Sequence, residues 1–348
     1  MVIKLKVLHI SEAYGGGVTS AIKSYVEHSS EFEHYLFATR RKNDSTGEEK
    51  SAVFKDIFFV ERNLKAIKLL RALIKSLNPD AIHIHSTYAG AICRLLPFIP
   101  REKAIYTPHG YAFLRDDHGL LLQIFYLVEK LLSKRSMFIA GCGLHEKNIA
   151  SSYIGEENTV ELVNVCGELP DVKPIYSNVT LPVIGMAGRI SNQKGFDFFL
   201  ATSKALRGKA HFKWIGGGDL KQESLLREAG IEVTGWMDRA KVISHLSGLD
   251  LYFHTAAWEG FPISVLEASR LEKPILLRTI APFEAELLPT VGNVQDAITQ
   301  LNSWLNNEEI IVKQCANISH KINQYHSPDR LRHSLNSLYL KIKSISLN

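Results

Sequence analysis

Leu249-Asp250-Leu251-Tyr252-Phe253-His254, followed by Thr255-Ala256-Ala257-Trp258-Glu259-Gly260-Phe261-Pro262-Ile263-Ser264-Val265-Leu266-Glu267-Ala268, reads as a strand, a loop and the start of a helix. The first six residues are an apolar run of strand length. Pro262 suits the first turn of the helix, where its missing N–H costs nothing. The N–H groups of Phe261, Ile263 and Ser264 then point beyond the end of the strand. Such a helix N-terminus is an anion site, well suited to a diphosphate. Glu259 lies just before it and can accept hydrogen bonds from sugar hydroxyls. Glu267 lies about a turn and a half into the helix, where a carboxylate can grip a ribose diol. The helix dipole favours carboxylates only in the first turn, so it does not account for Glu267.

The same strand–loop–helix unit recurs on either side. Pro182–Ala187 is a predicted strand, Gly188-Arg189-Ile190-Ser191-Asn192-Gln193-Lys194-Gly195 its loop, and Gly195–Leu206 a helix. Arg189 and Lys194 place two cations in that loop; Arg can fork onto phosphate oxygens and Lys acts as a point charge. Strands follow at Phe212–Ile215, Ile231–Gly235 and Pro274–Arg278, with the turn Gly216–Asp219 after the first of them, and the tail from Val294 reads as helical and polar. In the first half the strands are Leu5–Ser11, Tyr35–Thr39, Ile57–Val60, Ala81–His85, Ala104–Thr107 and Phe138–Gly141. A glycine loop, Gly15–Gly17, precedes a helix over Val18–His28, and further helices cover Leu64–Leu77 and Leu120–Leu132. This alternation implies α/β architecture with parallel sheets covered on both faces.

The pattern breaks between Gly167 and Pro182, where three of the twelve prolines fall. The expected organisation is a doubly wound, Rossmann-like domain over 1–166, a linker over 167–181, a second such domain over 182–325, and a helix over 326–348 packing back on the first domain. Ligands of doubly wound sheets bind at the carboxyl ends of the strands, so the key loops are expected to face a central cleft.

A chain of 348 residues, 45% hydrophobic and 22% charged, suits two soluble domains with real cores. The net charge of +5 is spread: 21 basic and 18 acidic residues run through Val165, 20 and 18 beyond it. No stripe for nucleic acid results. Cys93, Cys142, Cys166 and Cys315 form no C-x-x-C, which leaves zinc and redox motifs unsupported and fits reduced thiols. The N-terminus is too interrupted for a signal peptide, and no run of ~18 apolar residues occurs. The expected location is the cytoplasm, peripherally on the inner face of the plasma membrane.

Taken together, Gly15–Gly17, Tyr106-Thr107-Pro108-His109-Gly110, Gly188-Arg189 with Lys194-Gly195, Gly216–Asp219, Gly235-Trp236 and the E-x7-E from Glu259 to Glu267 resemble the retaining glycosyltransferases of family four, of bacterial surface-polysaccharide type. The likeness runs over most of the chain, and the E-x7-E with its internal Gly-Phe-Pro is its most specific part. It implies the GT-B fold and a nucleotide-sugar donor, UDP-sugar favoured. Arg189 and Lys194 look like the pair that holds the donor diphosphate, Glu267 like the ribose ligand, and Glu259 like a ligand of the transferred sugar. His109 looks like the histidine that meets the donor sugar near the reacting centre, and Gly16 and Gly17 like the loop that lets phosphates and acceptor approach. The stretch after Arg278, Thr279 to Leu287, is shorter than the family's Gly-rich turn.

As the glycosidic bond breaks, charge grows on the leaving phosphates, and Arg189, Lys194 and the helix N-terminus near Ile263 are aimed at it. No Asp-x-Asp occurs, so transfer without metal or other cofactor is expected. The expected acceptor is a hydroxyl of a glycan, lipid-diphosphate-linked, in O-antigen or capsule synthesis. Apolar Leu120–Leu132, with Lys130, Lys134 and Arg135 near its end, and basic Leu64–Leu77 fit contact with an anionic membrane or ordinary sheet-covering helices. A nucleotide-sugar epimerase of the same fold and a non-catalytic sugar-nucleotide binder remain open as alternatives. A nicotinamide-dependent dehydrogenase is disfavoured, because the first glycine loop is not G-x-G-x-x-G and Tyr35–Thr39 runs into Arg40.

Overall fold

A computed structural model describes residues 4–12, 16–40, 53–114 and 119–347. The chain divides into two units, Met1–Val165 with Ser327–Asn348, and Cys166–His326.

Unit 1 has strands β1 (Lys6–Ser11), β2 (Glu33–Arg40), β3 (Asp56–Glu61), β4 (Ala81–His85), β5 (Ala104–Thr107), β6 (Phe138–Gly141) and β7 (Thr159–Glu161). All neighbours pair in parallel, in the order β3-β2-β1-β4-β5-β6-β7. The order reverses between β1 and β4, the switch point of a doubly wound sheet. Its helices are α1 (Gly16–Glu27), α2 (Leu64–Leu77), α3 (Thr87–Leu95), α4 (Leu120–Ser133) and α5 (Leu144–Ile154). Period-two alternation sorts the central strands. Leu8, Ile10, Ile82, Ile84 and Tyr106 pack in one core. The intervening positions of the same strands put His9, His34, His83 and His85 on the opposite side, all fully or nearly buried.

Unit 2 repeats the plan with β8 (Val183–Ala187), β9 (His211–Ile215), β10 (Glu232–Val233), β11 (Leu251–His254) and β12 (Ile275–Leu277). The order is β10-β9-β8-β11-β12, again all parallel, with its switch point between β8 and β11. Helices α6 (Phe196–Ala205), α7 (Leu220–Glu228), α8 (Arg239–Ser247), α9 (Ile263–Arg270), α10 (Ala281–Ala285), α11 (Val294–Leu305) and α12 (Glu309–Tyr325) cover it. Phe199, Phe212, Trp214 and Phe253 build one core. Tyr252, Val265, Leu277 and Phe283 build another.

The stretch read as a linker, 167–181, has neither helix nor strand and lies along unit 2. The Ile175 N–H donates to the Ser244 carbonyl at 2.8 Å, and Ser177 Oγ donates to Glu232 at 2.6 Å. The last helix, α13 (Pro328–Leu347), belongs to unit 1, where Arg330 pairs with Glu161 at 2.7 Å and Tyr339 is buried beside His83.

Two differences from the sequence reading are local. Pro262 caps α9 in an extended conformation and does not lie inside its first turn. The short segment after Arg278 is not an open turn: it folds as α10, buries Phe283, and holds Glu286 against His326 at 3.0 Å.

Candidate functional site

The loops after β8, β9 and β11 are stitched together by their backbones. Gly188 lies at φ 151°, and its carbonyl accepts from Trp214 Nε1 at 2.9 Å. A Cβ on Gly216 would sit 2.2 Å from that carbonyl oxygen, which is why the β9 loop is glycine there. The Ile190 N–H donates to the Gly217 carbonyl at 3.0 Å. On the other side, the Ala257 N–H donates to the Gln193 carbonyl at 2.8 Å, and Thr255 Oγ1 donates to the Lys194 carbonyl at 2.9 Å. Arg278, at the end of β12, donates from Nη1 to the Thr255 carbonyl at 3.1 Å.

Gly195 is the tightest point of this weave. It lies at φ 65°, and a Cβ there would stand 2.0 Å from the Thr255 carbonyl oxygen. A non-glycine residue in the left-handed region costs about 1–2 kcal/mol before any clash is counted. Gly195→Ala is expected to lower Tm by about 5 °C or more, given 2–4 °C per kcal/mol at this domain size, and to weaken nucleotide binding. Unchanged melting and UDP affinity would show that the loop yields freely.

The consequence is one ion pair. Lys194 Nζ meets the Glu259 carboxylate, both side chains mostly buried, at the carboxyl ends of the two strands that flank the switch point. Arg189 is exposed on the same loop as Lys194. Behind the pair, His254 is fully buried, and burial and the nearby Lys194 ammonium hold its imidazole well below the usual range. Its Nε2 has no hydrogen-bond partner among the described residues.

Helix α9 carries the rest of the predicted set. Its first N–H groups have no carbonyl within the helix to bond. Ser264 Oγ accepts from the buried Tyr252 hydroxyl at 2.9 Å, and Ile263 is half-buried against the core. Phe261 belongs to the core: its ring lies 3.8 Å from that of His326 and edge-on to Phe283. Only its backbone can serve a ligand. Glu267 is buried and pairs with Arg239 Nε at 3.3 Å, not with Arg189 or Lys194. Burial raises its carboxyl above the usual range, and the Arg239 guanidinium draws it partly back.

In unit 1, His109 follows β5 with φ 52°, and its Nε2 lies 3.0 Å from His85 Nδ1. Burial pushes its imidazole down to about 3. Glu146, from α5, accepts from the Gly110 and Cys142 N–H groups and so ties the His109 turn to the end of β6. Gly16 and Gly17 open α1, and the space where Gly17 would carry a Cβ is open. Gly15 lies outside the described residues.

Two residues escaped the sequence reading, and a third, Trp236, was named there without a role. Arg239 and Glu146 are ordinary charged residues in their local context, with no spacing signal. Trp236 is 70% exposed although its indole lies against Gly217. An exposed tryptophan after a glycine was legible, but its neighbour on the β9 loop was not.

Residues 181–307 match the family model of glycosyl transferases group 1. A Klebsiella pneumoniae protein, described as an uncharacterized 41.2 kDa protein in the cps region, is 25% identical over 297 residues, 80% of this chain and 82% of its own length. The N,N'-diacetylbacillosaminyl-diphospho-undecaprenol alpha-1,3-N-acetylgalactosaminyltransferase of Campylobacter jejuni is 23% identical over 295 residues, 75% of this chain and 77% of its own. The crystal structure of Anabaena HepE in complex with UDP superposes with a TM-score of 0.75 at 14% identity, covering 97% of this chain and 100% of that one. With its two parallel sheets and their switch-point loops, the chain has the GT-B fold, and its second unit carries a glycosyl transferases group 1 domain over residues 181–307.

Proposed function

We propose that the protein moves a hexose or N-acetylhexosamine from a UDP-sugar to a hydroxyl of a lipid-diphosphate-linked glycan, with retention of configuration and without a metal, in the synthesis of a surface polysaccharide. The observation that carries this reading is the Lys194–Glu259 pair at the switch point of unit 2, with the α9 N-terminus and, farther along α9, Glu267 paired with Arg239 of α8. Arg189, Lys194 and the first N–H groups of α9, including those of Ile263 and Ser264, bind the diphosphate and stabilise the charge that grows on it. Glu267 takes the ribose diol. Glu259 takes a hydroxyl of the transferred sugar, and His109 takes part in donor-sugar binding. Gly16 and Gly17 leave room for phosphate and acceptor. The glycosidic C–O bond breaks as the acceptor oxygen attacks the same face, and the departing phosphate takes the acceptor's proton.

The surroundings favour this class of substrate. A relative lies in a cps region, and another acts on a diphospho-undecaprenol-linked acceptor. A structural neighbour binds UDP. The cations of the β8 loop meet the need that Asp-x-Asp transferases answer with a metal, and no Asp-x-Asp is present.

A thermal-shift panel of UDP-, GDP-, ADP- and TDP-sugars tests the donor. A UDP-sugar should raise Tm most, by mass action on the folded state. Turnover should be insensitive to EDTA and yield a product of retained anomeric configuration by NMR. An inverted product overturns the same-face route, and free epimer formed without acceptor favours an epimerase.

For the membrane, α4 supplies the observation. Its inner side carries Glu129, buried against Arg94 at 2.6 Å and the Tyr106 hydroxyl at 2.8 Å. Its outer side exposes Leu120, Leu121, Ile124, Leu127 and Leu131, with Lys130 and Lys134 beside them. Tyr88, Ile92 and Leu95 of the adjoining α3 are exposed too. Apolar stripes with flanking cations dock on anionic bilayers. Wild-type protein should co-sediment with anionic vesicles in a salt-sensitive manner, and Leu127→Glu/Leu131→Glu should not, with its response to UDP intact. Absence of salt-sensitive binding by the wild type discards this part.

A further inference from the structure

Four imidazoles form a continuous hydrogen-bonded row in unit 1, at the switch point of its sheet. His34 Nε2 stands 2.9 Å from the Ser29 carbonyl oxygen and 3.1 Å from Ser29 Oγ. His34 Nδ1 meets His9 Nε2 at 3.0 Å, His9 Nδ1 meets His85 Nε2 at 2.9 Å, and His85 Nδ1 meets His109 Nε2 at 3.0 Å.

The row has a direction. A carbonyl oxygen only accepts, and the Ser29 hydroxyl already donates to the Tyr25 carbonyl at 2.6 Å. His34 Nε2 must therefore carry the hydrogen. A neutral imidazole has one N–H and one acceptor nitrogen. His34 Nδ1 is then an acceptor, which requires a hydrogen on His9 Nε2. By the same step His85 and His109 each carry theirs on Nε2. One backbone carbonyl thus sets the tautomer of all four rings.

We propose that this row holds His109 as its Nε2–H tautomer, so that Nδ1 presents a lone pair to a hydroxyl of the donor sugar. The second half of this statement rests on the role given to His109 above. His34, His9 and His85 are positioning residues that act through it.

Three observations support the neutral, fixed state that the deduction needs. Burial holds His9, His85 and His34 below the usual imidazole range, and their mutual repulsion adds to this for His9 and His85. Among the described residues, the groups named against the row bring no Lys or Arg: Tyr25, His83, Tyr339, Cys142 and Glu146, with Glu31 beside His34. The Tyr25 ring stacks on that of His109 at 26°, which, with the bond to His85, holds His109 in a left-handed backbone conformation that a non-glycine residue seldom adopts.

His9, His83 and His85 also stand close enough to surround a cation. Each of their six ring nitrogens already has a partner, however. The row supplies four, and His83 meets Tyr339 Oη at 3.0 Å and Thr107 Oγ1 at 2.8 Å. A metal would have to break several of these bonds, so the hydrogen-bonded arrangement is the one the geometry favours.

The test is NMR of the full chain labelled with ¹⁵N-histidine. Correlations from the ring nitrogens to the carbon-bound ring protons report the tautomer of each imidazole. His34, His9, His85 and His109 should all appear as neutral Nε2–H forms that do not titrate between about pH 6 and 9, across the ordinary histidine range. An Nδ1–H form or an ordinary titration at His109 overturns the proposal. So does zinc added alone, if it shifts the nitrogens of His9, His83 and His85 together. His34→Leu removes the acceptor of His9 and should leave His109 as a mixture of tautomers, with kcat down about tenfold or more. His34→Gln, whose amide carries both an acceptor and a donor, should restore a single tautomer and the rate. A fixed tautomer at His109 in His34→Leu would show that the row does not set it. If the wild-type tautomers are as expected but His109→Ala still transfers sugar, the row stands and the reading of His109 fails.

Discussion

Replacing Lys194 with alanine should lower transfer by about 10²–10³-fold, the usual cost of one preorganised charge-stabilising group, and should weaken UDP binding more than Arg189→Ala does. The difference lies in what each cation leaves behind. Arg189 is exposed, and its loss removes one phosphate contact. Lys194 is mostly buried and paired with Glu259. Without it, a half-desolvated carboxylate stands unpaired beside the arriving diphosphate, and removing one partner of a buried pair costs more than the pair contributes. The double variant Lys194→Ala/Glu259→Gln should therefore recover part of the UDP affinity and none of the turnover. Glu259→Ala alone should lose transfer far more than donor binding, because its partner on the substrate is the moving sugar. Isothermal titration with UDP and initial rates with the donor check all four proteins. A double variant that binds UDP no better than Lys194→Ala would show that the two residues are not coupled.

Glu267→Gln should weaken UDP binding by roughly 10–100-fold, from about 1.5–3 kcal/mol for hydrogen bonds to a charged group. The wild type should show a pH dependence of matching origin. The ionised carboxylate is the form that grips a diol with both oxygens. Burial raises the Glu267 carboxyl above the usual glutamate range. As pH falls through that raised value the ionised form is lost, so the acid limb of UDP affinity lies above the value of about 4.3 expected for an exposed glutamate. Arg239 opposes the shift. Arg239→Ala should move the limb to still higher pH, and Glu267→Gln should remove it. On stability the same shift acts with the opposite sign. A folded-state value above the unfolded one stabilises at low pH, and that contribution is lost as pH rises through the folded value. Titration of UDP at several pH values decides; an acid limb unchanged in Arg239→Ala would separate the guanidinium from the ribose site.

Much of the fold was legible because it is written in local pattern. The apolar runs of β1, β4, β5, β6, β8, β9 and β11 mark themselves by length, and β5, β6, β8 and β9 also by the glycine or proline that ends them. The shortest and the polar elements did not. β7 has three residues at a sheet edge, and α5 mixes His145, Glu146, Lys147 and Asn148 in its first turns with little apolar periodicity. Their identity depends on the neighbours they pack against. The candidate site was legible in its residue types, since Lys194, Glu259 and Glu267 stand at spacings that only a strand–loop–helix unit brings to a strand end.

Sequence alone therefore determined the class of the molecule: two α/β units, a helix starting just after Pro262, and cations and carboxylates at strand ends. Those features rest on neighbours within a few residues along the chain. The pairings were decided by tertiary structure. Lys194 takes Glu259 rather than a phosphate-like partner on its own loop, Glu267 takes Arg239, and Phe261 turns into the core. His9 and His85, 76 residues apart, meet because parallel strands β1 and β4 fix a register between them. Register in a parallel sheet is set by crossover connections and by whole buried faces, and no window of sequence contains both.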